Sequence, residues 1–297
     1  MNLLVTGGAG FLGRHLVRRA VEAGHRTTSL DRAEADVVAD IADRTAIEAA
    51  LKSHRIDAIV HLATLLTDTS ASDPVEGTRV NAVGTAAVFE AARRTGVRRV
   101  IYASSQAALG GTVEKAGDDA PLRPLTVYGA TKAYGEHLAA AFKTMAPELA
   151  LTGLRFGYVY GPHRDRGWRE LQQMIEHFAE GHAEVRWPDF SQPIDWTYVD
   201  DAADAILATL AVPRPSRPVY NVCGDFRRIA DAVAHLRRRF PAVRAVAYPA
   251  QFPPAAWDYR ADGIEAELGF KPRVKLEEGI DRLADWLRGV NSQAGRR

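Results

Sequence analysis

Short apolar runs and amphipathic stretches alternate along the first half of the chain. The apolar runs, which predict β-strands, lie at residues 2–6, 26–30, 57–62, 98–103 and 150–155. Stretches with helical periodicity separate them, at about 11–23, 44–53, 74–95 and 127–146. The run Asp57-Ala-Ile-Val-His-Leu62 is mostly apolar, which is typical of a parallel strand buried on both faces. The alternation predicts repeated βαβ units, and therefore a doubly wound, Rossmann-like α/β fold with a parallel sheet.

The pattern changes after about residue 157. Proline and aromatic residues become more frequent, and the helix and strand patterns become shorter and less regular. Residues 213–218 predict a rigid connector because they contain three prolines, and residues 290–297 predict a frayed tail. We therefore expect a doubly wound domain at residues 1–157. A smaller, partly interleaved α/β region at residues 158–297 is expected to bind mainly substrate and to return some segments to the first domain.

The composition narrows the class of protein. Lys and Arg total 38 and Asp and Glu total 37, a net charge of +1 that argues against nucleic-acid and anionic-membrane partners. Cys223 is the only cysteine, which excludes an internal disulfide or a cysteine-cluster metal site and fits a reducing compartment. Because neither a signal peptide nor a membrane-spanning run is recognisable, we expect a cytoplasmic protein. We expect no bound metal.

A glycine-rich loop lies between the first predicted strand and the first predicted helix. Its sequence is Thr6-Gly-Gly-Ala-Gly-Phe-Leu-Gly13, with glycines spaced for a tight turn and for close backbone approach to a pyrophosphate at a helix N-terminus. Asp31 ends the second strand, where a carboxylate can accept hydrogen bonds from the adenosine ribose. It would repel a 2′-phosphate, so NAD is predicted over NADP, although Arg32 beside it could meet such a phosphate.

Tyr128-Gly-Ala-Thr-Lys132 places a phenol and an ammonium group on one face of a helix, because residues i and i+4 are neighbours there. The ammonium favours the phenolate and lowers a pKa that is otherwise near 10. Ser104 and Ser105 end the fourth strand, at the edge where doubly wound sheets bind ligands. Either hydroxyl could hold the reacting oxygen of a substrate beside Tyr128.

Taken together, the motifs resemble those of extended short-chain dehydrogenases/reductases of the NAD-dependent epimerase/dehydratase family, from the start of the chain to about residue 288. The matching segments are 6–13, Asp31, Asp40-Ile41, His61-Leu62-Ala63, Asn81, Gly84-Thr85, Ser104-Ser105, Tyr128, Lys132, Arg155, Val159–Pro162, Asp195–Asp201, Tyr220–Val222, Leu268–Pro272 and Leu276–Gly279.

The resemblance implies residue roles and an NAD cofactor. Catalysis is expected from Ser105, Tyr128 and Lys132. Cofactor contacts are expected from Gly7, Gly10, Phe11, Leu12, Gly13, Asp31, Arg32, Asp40, Ile41, Leu62, Ala63, Asn81, Tyr128 and Lys132. Substrate contacts are expected from Ser105, Gln106, Tyr158 and Arg164. His61 is expected to be structural, and the helices at 74–95 and 127–146 are implied to form a homodimer.

The chain departs from the family pattern near the expected substrate. Gln106-Ala107 stands where 4,6-dehydratases have Asp-Glu, and Ala108-Leu109-Gly110 replaces the usual Val-Tyr-Gly. Tyr158 replaces a frequent Asn, and Ile194 replaces an Arg that meets a diphosphate in many nucleotide-sugar enzymes. Residues 251–258 contain no R-x-G-D segment. A diphosphate needs cationic partners, and these departures remove them. A free sugar, sugar acid or polyol carries at most one charge, for which Arg155, Arg164, Arg166 or Arg260 could suffice.

Three functions are compatible with these observations. The departures favour an NAD-dependent oxidoreductase that dehydrogenates a secondary alcohol of a small sugar, sugar acid or polyol. The alternative is a nucleotide-sugar epimerase that recycles its NAD. A dinucleotide-binding regulator without catalysis is the third, and the retained Ser105, Tyr128 and Lys132 argue against it.

Overall fold

A computed structural model describes residues 1–111, 115–190, 192–250 and 259–294, with side chains to residue 290. The segment 251–258, where we noted the missing R-x-G-D, lies outside the described residues. The strands are β1 (Asn2–Thr6), β2 (Arg26–Asp31), β3 (Val37–Val38), β4 (Ala58–His61), β5 (Arg99–Ser105), β6 (Ala150–Phe156), β7 (Tyr158–Tyr160), β8 (Glu184–Asp189), β9 (Ile194–Tyr198), β10 (Val219–Val222), β11 (Asp225–Arg227) and β12 (Arg244–Pro249). The α-helices are α1 (Phe11–Glu22), α2 (Arg44–Ser53), α3 (Thr67–Ser72), α4 (Pro74–Thr78), α5 (Gly84–Thr95), α6 (Val127–Met145), α7 (Glu170–Glu180), α8 (Val199–Ala211), α9 (Ile229–Arg239), α10 (Asp262–Leu268) and α11 (Leu276–Ala294).

Seven parallel strands form the central sheet, in the order β10-β6-β5-β4-β1-β2-β3. Leu3, Leu4 and Val5 in β1 have no exposed surface, because helices cover both faces of the sheet. One face packs against α2, α5 and α6 through residues such as Ile47 and Val88. The other packs against α1, α8 and α10. The doubly wound, Rossmann-like fold is therefore confirmed.

A second core lies in the C-terminal half. It is formed by α7, α9 and α11 around Trp196 and Phe178, both fully buried. Two small sheets belong to this region: β11-β9-β7, in which β11 is antiparallel to β9, and the parallel pair β12-β8. By contrast, α8, β10 and α10 return to the central sheet. The two halves of the chain are thus interleaved.

Local sequence signals explain where several helices begin. The Asp43 carboxylate accepts a hydrogen bond from the Ala46 N–H at 3.1 Å, and Asp73 accepts one from Glu76 N–H at 3.0 Å, just before Pro74 at the first position of α4. Both are capping contacts that satisfy free N–H groups of a first turn.

Two expectations about helices are wrong. The single helix expected at 74–95 is divided by a π-helical segment, Arg79–Val83, which lies between α4 and α5. The second half is also more regular than expected, since α8 has 13 residues and α11 has 19. In α11, Leu276, Ile280 and Leu283 share one buried face at helical spacing. The helix continues past residue 290 and ends at Ala294. Within the described residues, no helix is long and apolar enough to cross a membrane.

Candidate active site

The glycine loop joins β1 to α1 and presents the start of that helix. Gly7 has a φ of +71°, and a Cβ there would lie 2.7 Å from the Ala63 backbone nitrogen; a Cβ at Gly13 would collide with the Gly7 carbonyl. Only glycine therefore allows this close path. Because Arg14 N–H is the first to bond within the helix, to the Gly10 carbonyl at 3.0 Å, the N–H groups of Phe11, Leu12 and Gly13 have no helical acceptor. They can bind a pyrophosphate.

Asp31 lies at the end of β2, next to this loop. Its carboxylate accepts hydrogen bonds from the backbone N–H groups of Ala9, at 3.2 Å, and Arg32, at 2.7 Å. The Arg32 side chain is exposed. The carboxylate is thus fixed beside the phosphate loop, where a ribose hydroxyl can reach its remaining acceptor positions, and the site fits a dinucleotide without a 2′-phosphate.

Asp40 and Ile41 follow the short strand β3. Asp40 accepts hydrogen bonds from Arg79 and from the Ala42 N–H, both at 2.8 Å, and the bond from Arg79 holds the pKa of this carboxyl below its usual value. Ile41 is buried against Gly84, at the start of α5. Asp40 can flank an adenine, whereas most of the Ile41 side chain belongs to the core.

His61 is buried at the end of β4 and connects three elements. Its Nδ1 lies 2.8 Å from Thr6 Oγ1, and its Nε2 lies 3.0 Å from Thr85 Oγ1. Thr85 donates to the Asn81 carbonyl at 2.6 Å, so it must accept from His61 Nε2–H, and Nδ1 accepts from Thr6. Burial lowers the pKa of His61 to about 3, so the ring stays neutral. The chain Leu62-Ala63 is held by the same threonine, since Ala63 N–H donates to Thr6 Oγ1 at 3.3 Å.

Asn81 lies in the π-helical segment. Its Oδ1 accepts from Leu65 N–H at 2.7 Å and from Thr64 Oγ1 at 3.0 Å, and its Nδ2 donates to the Leu65 carbonyl at 2.9 Å and to Thr131 at 3.2 Å. One buried amide thus connects the loop after β4 to α6, the helix that carries Tyr128. It supports the backbone of this loop, which contacts the glycine loop where Ala63 approaches Gly7.

The two serines at the end of β5 have different surroundings. Ser104 is buried, and its hydroxyl donates to Glu136 at 2.5 Å. Ser105 begins a single 3₁₀ turn, Gln106–Ala108, and its Oγ accepts from Ala107 N–H at 3.2 Å. Burial raises the pKa of Tyr128, and hydrogen bonding with the Ser105 hydroxyl opposes this effect, so the two side chains interact. Of the two serines, Ser105 alone is available to a substrate oxygen near Tyr128.

Tyr128 and Lys132 lie on the first turns of α6, whose N-cap Thr126 accepts from Gly129 N–H at 3.0 Å. The Lys132 ammonium lies 5.4 Å from the centre of the Tyr128 ring and donates to the Ala103 carbonyl at 2.9 Å. Burial raises the pKa of Tyr128 to about 12 and lowers that of Lys132 to about 8. At neutral pH the pair is therefore mostly a phenol and an ammonium.

A buried ion pair supports this site, and sequence reasoning missed it. The Arg155 guanidinium donates to both carboxylate oxygens of Glu136, at 2.7 and 2.8 Å, and their side chains are only 4% and 5% exposed. We expected Arg155 to be a possible partner for a substrate anion, and this is wrong because Glu136 neutralises it. The sequence signal was the position of an acidic residue, Glu136, on the buried face of α6, about two turns after Tyr128.

Tyr158 and Arg164, which we expected to contact substrate, pack against the second core. The Tyr158 side chain is 4% exposed, and the Arg164 guanidinium stacks on its ring at 4.5 Å. Arg164 donates to the carbonyls of Val159, at 2.7 Å, and Trp168, at 2.8 Å, and so holds the loop 163–169 in place. These contacts use the guanidinium edges that a substrate anion would need.

Ile194 and Gln106 are also inside the protein. Ile194, at the position of the diphosphate-binding Arg in many relatives by resemblance, has no exposed surface and belongs to the second core. Gln106 is 3% exposed, so its side chain points inward from the 3₁₀ turn Gln106–Ala108. Within the described residues, no group of three or more His, Cys, Asp or Glu side chains could hold a metal ion.

One edge of the parallel sheet carries a helix terminus that can bind phosphate, an acidic residue that can meet a ribose, and a Ser-Tyr-Lys set. These features define a NAD-dependent enzyme of the short-chain dehydrogenase/reductase class. The sequence profile of the NAD dependent epimerase/dehydratase family matches residues 3–223. The chain belongs to this family, and its cofactor is NAD.

Similar proteins span nearly the whole chain. The sequence is 31% identical to that of a UDP-glucose 4-epimerase from Mycolicibacterium smegmatis over 318 residues, covering 97% of this chain and 99% of the relative. The structure matches the NAD complex of UDP-glucose 4-epimerase from Thermus thermophilus with a TM-score of 0.84 and 28% identity, covering 97% and 99% of the two chains. It matches the Thermotoga maritima UDP-glucose 4-epimerase with UDP-glucose with a TM-score of 0.86 and 25% identity, covering 98% and 100%.

Proposed function

We propose that the protein is a nucleotide-sugar epimerase that oxidises and re-reduces one sugar carbon with NAD. The observation that carries the chemistry is the proximity of Tyr128 to Lys132 and Ser105, at the edge of the central sheet that also carries the glycine loop. The epimerase assignment rests on the relatives, several of which are named UDP-glucose 4-epimerases. It replaces our preference for a small free sugar, sugar acid or polyol, which rested on a few departures from the family pattern.

In the proposed first step, the O–H and C–H bonds of a secondary alcohol break and a carbonyl forms. Ser105 hydrogen-bonds the reacting oxygen and Tyr128, as phenolate, takes its proton. The ammonium of Lys132 favours the phenolate electrostatically, opposing the burial that raises the pKa of Tyr128. Bound NAD supplies the hydride acceptor. Tyr128 would then return the proton to the same oxygen, and reduction of the carbonyl carbon from its opposite face would give the epimer.

A second candidate is net dehydrogenation of a smaller alcohol. The burial of Ile194 favours it, because an apolar side chain without exposed surface cannot compensate the charge of a diphosphate. The stacking of Arg164 on Tyr158 supports the same idea, since this cation already holds a loop.

One experiment distinguishes the two. Purified protein is incubated with NAD⁺ and UDP-glucose, dTDP-glucose, UDP-glucuronate, or free sugars, sugar acids and polyols, and both NADH and sugar epimers are measured. Epimer formation without accumulated NADH supports the epimerase. Accumulated NADH with a free alcohol supports the second candidate. Calorimetry with UDP adds an independent test: micromolar binding outside the NAD site would exclude the second candidate.

We also propose a cytoplasmic homodimer formed through residues 74–95, which comprise α4, the π-helical segment and α5, and through α6, as the family resemblance implied. Val83, the last residue of the π-helical segment before α5, is 51% exposed, and Tyr134 in α6 is 43% exposed, despite their apolar surfaces. Light scattering on the purified protein tests it: a monomer at micromolar concentration would exclude this assembly.

A further inference from the structure

The chain leaves the central sheet at Gly157, which connects β6 to β7. A Cβ at this position would lie within 2.7 Å of each of three polar atoms: Tyr259 Oη, Asp195 Oδ2 and Gln106 Nε2. Tyr259 lies in the segment before α10, Asp195 lies in β9, and Gln106 begins the 3₁₀ turn after Ser105. All three residues are buried, with exposed fractions of 3%, 0% and 3%. The space that glycine leaves open therefore brings three distant polar groups to one point.

In the part of the chain that the structure describes, the hydrogen bonds of this cluster leave the N–H donors of Gln106 Nε2 unpaired and an acceptor position on Asp195 Oδ2 open. Asp195 Oδ1 accepts from Gly224 N–H at 2.6 Å and from Thr197 Oγ1 at 2.9 Å, while Oδ2 accepts from the Tyr259 hydroxyl. A carboxylate oxygen can accept two hydrogen bonds, so Oδ2 has room for one more. Gln106 Nε2 is a buried donor that has no hydrogen-bond partner within the described residues. A buried donor without an acceptor is unfavourable.

Gln106 is also well placed to affect the reaction. It directly follows Ser105 and begins the 3₁₀ turn Gln106–Ala108. This turn packs against the start of α6, because a side chain at Gly129 would collide with the Ala107 carbonyl. The residue therefore lies in the segment that connects Ser105 to the packing contact with α6, the helix that carries Tyr128.

We propose that Asp195, held by Tyr259, is a positioning residue that binds the Gln106 amide through its ionised carboxylate and so fixes Ser105 relative to Tyr128. The inference rests on the proposed use of Ser105 and Tyr128, but the pairing of Asp195 with Gln106 can be tested without any activity.

The pairing depends on pH in a defined direction. Burial raises the pKa of Asp195 to about 6, and the hydrogen bonds from Tyr259, Gly224 and Thr197 oppose this effect. Among the described residues, Asp225 and Cys223 also face it, and the charge of Asp225 raises the pKa of Asp195 further. The carboxylate is therefore ionised at neutral pH. As the pH falls through about 6 it takes a proton, and the acceptor position that we propose for the Gln106 amide is lost.

The pairing is tested by NMR on protein labelled with ¹⁵N-glutamine, with the variant Gln106→Met identifying the Gln106 side-chain signal. We expect this signal to shift as the pH falls through about 6, and to lose the response in Asp195→Asn. Tyr259→Phe removes one donor to the carboxylate, so the same transition should move to higher pH. Tyr220→Phe, a buried tyrosine whose hydroxyl accepts from Arg217 N–H at 3.3 Å, is the matched control and should leave it unchanged.

The consequence for catalysis is tested by the pH profile of kcat with the best nucleotide sugar. The unmodified protein should lose turnover as the pH falls through about 6, and Tyr259→Phe should move this limb in the same direction as the NMR transition. Gln106→Met should lower kcat by about 10-fold to 100-fold and abolish the limb, as expected for a misplaced catalytic group. A Gln106 signal that ignores both pH and Asp195→Asn would overturn the pairing. A normal pairing with an unmoved limb in Tyr259→Phe would overturn the positioning role, and activity on no substrate would instead count against the proposed function.

Discussion

The ion pair between Glu136 and Arg155 predicts a large effect of one conservative substitution. Glu136→Gln keeps the shape of the side chain and removes its charge, which leaves a guanidinium that is 4% exposed without a counter-charge. Removing one partner of a buried pair costs about 3–5 kcal/mol. Because Arg155 keeps hydrogen bonds to the Asp118 carbonyl, at 3.0 Å, and to Asn221, at 3.4 Å, we expect the lower end of that range.

The pair Glu90–Arg93 is a matched control. It has the same two-pronged geometry, at 2.7 and 2.8 Å, but its side chains are 25% and 38% exposed. Glu90→Gln should therefore cost less than about 1 kcal/mol. The free energy of unfolding is measured for both variants and the unmodified protein by urea denaturation at neutral pH, followed by tryptophan fluorescence. Against a typical total of about 5–15 kcal/mol, the difference between the variants is easily resolved.

If Glu136→Gln costs no more than Glu90→Gln, burial does not make the inner pair important, and the reasoning is refuted. Arg155→Met gives a second check. This variant leaves the Glu136 carboxylate buried without its cation, so it should also cost about 3–5 kcal/mol at neutral pH.

Other predictions concern the chemistry and the cofactor. Tyr128→Phe should reduce turnover by about 10²–10⁴-fold while NAD still binds in a fluorescence titration, and near-normal turnover would contradict the assignment. Lys132→Ala should weaken both turnover and NAD binding in the same assays. Asp31→Ser should reduce the ratio of NAD to NADP affinity, and an unchanged ratio would transfer the choice of cofactor to Arg32. Ile194→Arg should lower Tm, because it places a charge in a core position without exposed surface; an unchanged Tm together with new UDP affinity would show that the position can face a diphosphate.

The fold could largely be predicted because its signals are local. The apolar runs and the helices between them identified the parallel sheet, and Asp43 and Asp73 form their capping contacts within the first turns that follow them. The π-helical segment at Arg79–Val83 could not be predicted. It depends on where Asn81 finds partners, in a loop 16 residues away along the chain.

The site was predictable where it depends on the edge of the sheet and on helix spacing, as for Ser105, Tyr128 and Lys132. Sequence alone left Ser104 and Ser105 as alternatives, and only the contact between Ser104 and Glu136 separates them. Arg155 and Arg164 could not be interpreted correctly. An arginine has the same sequence signature whether it meets a substrate anion, a buried carboxylate or backbone carbonyls, and only the tertiary structure distinguishes these partners.

The position of β10 affects how the protein can fold during synthesis. Strand β10 pairs with β6 at the edge of the central sheet, yet it lies beyond the whole of β7–β9 along the chain. A nascent chain that has emerged from the ribosome only to residue 157 has β6 as an open edge, with unpaired backbone groups available for aggregation. The cofactor-binding half therefore cannot complete its sheet until residue 222 has left the exit tunnel, so the boundary at 157 is a poor place to cut the chain.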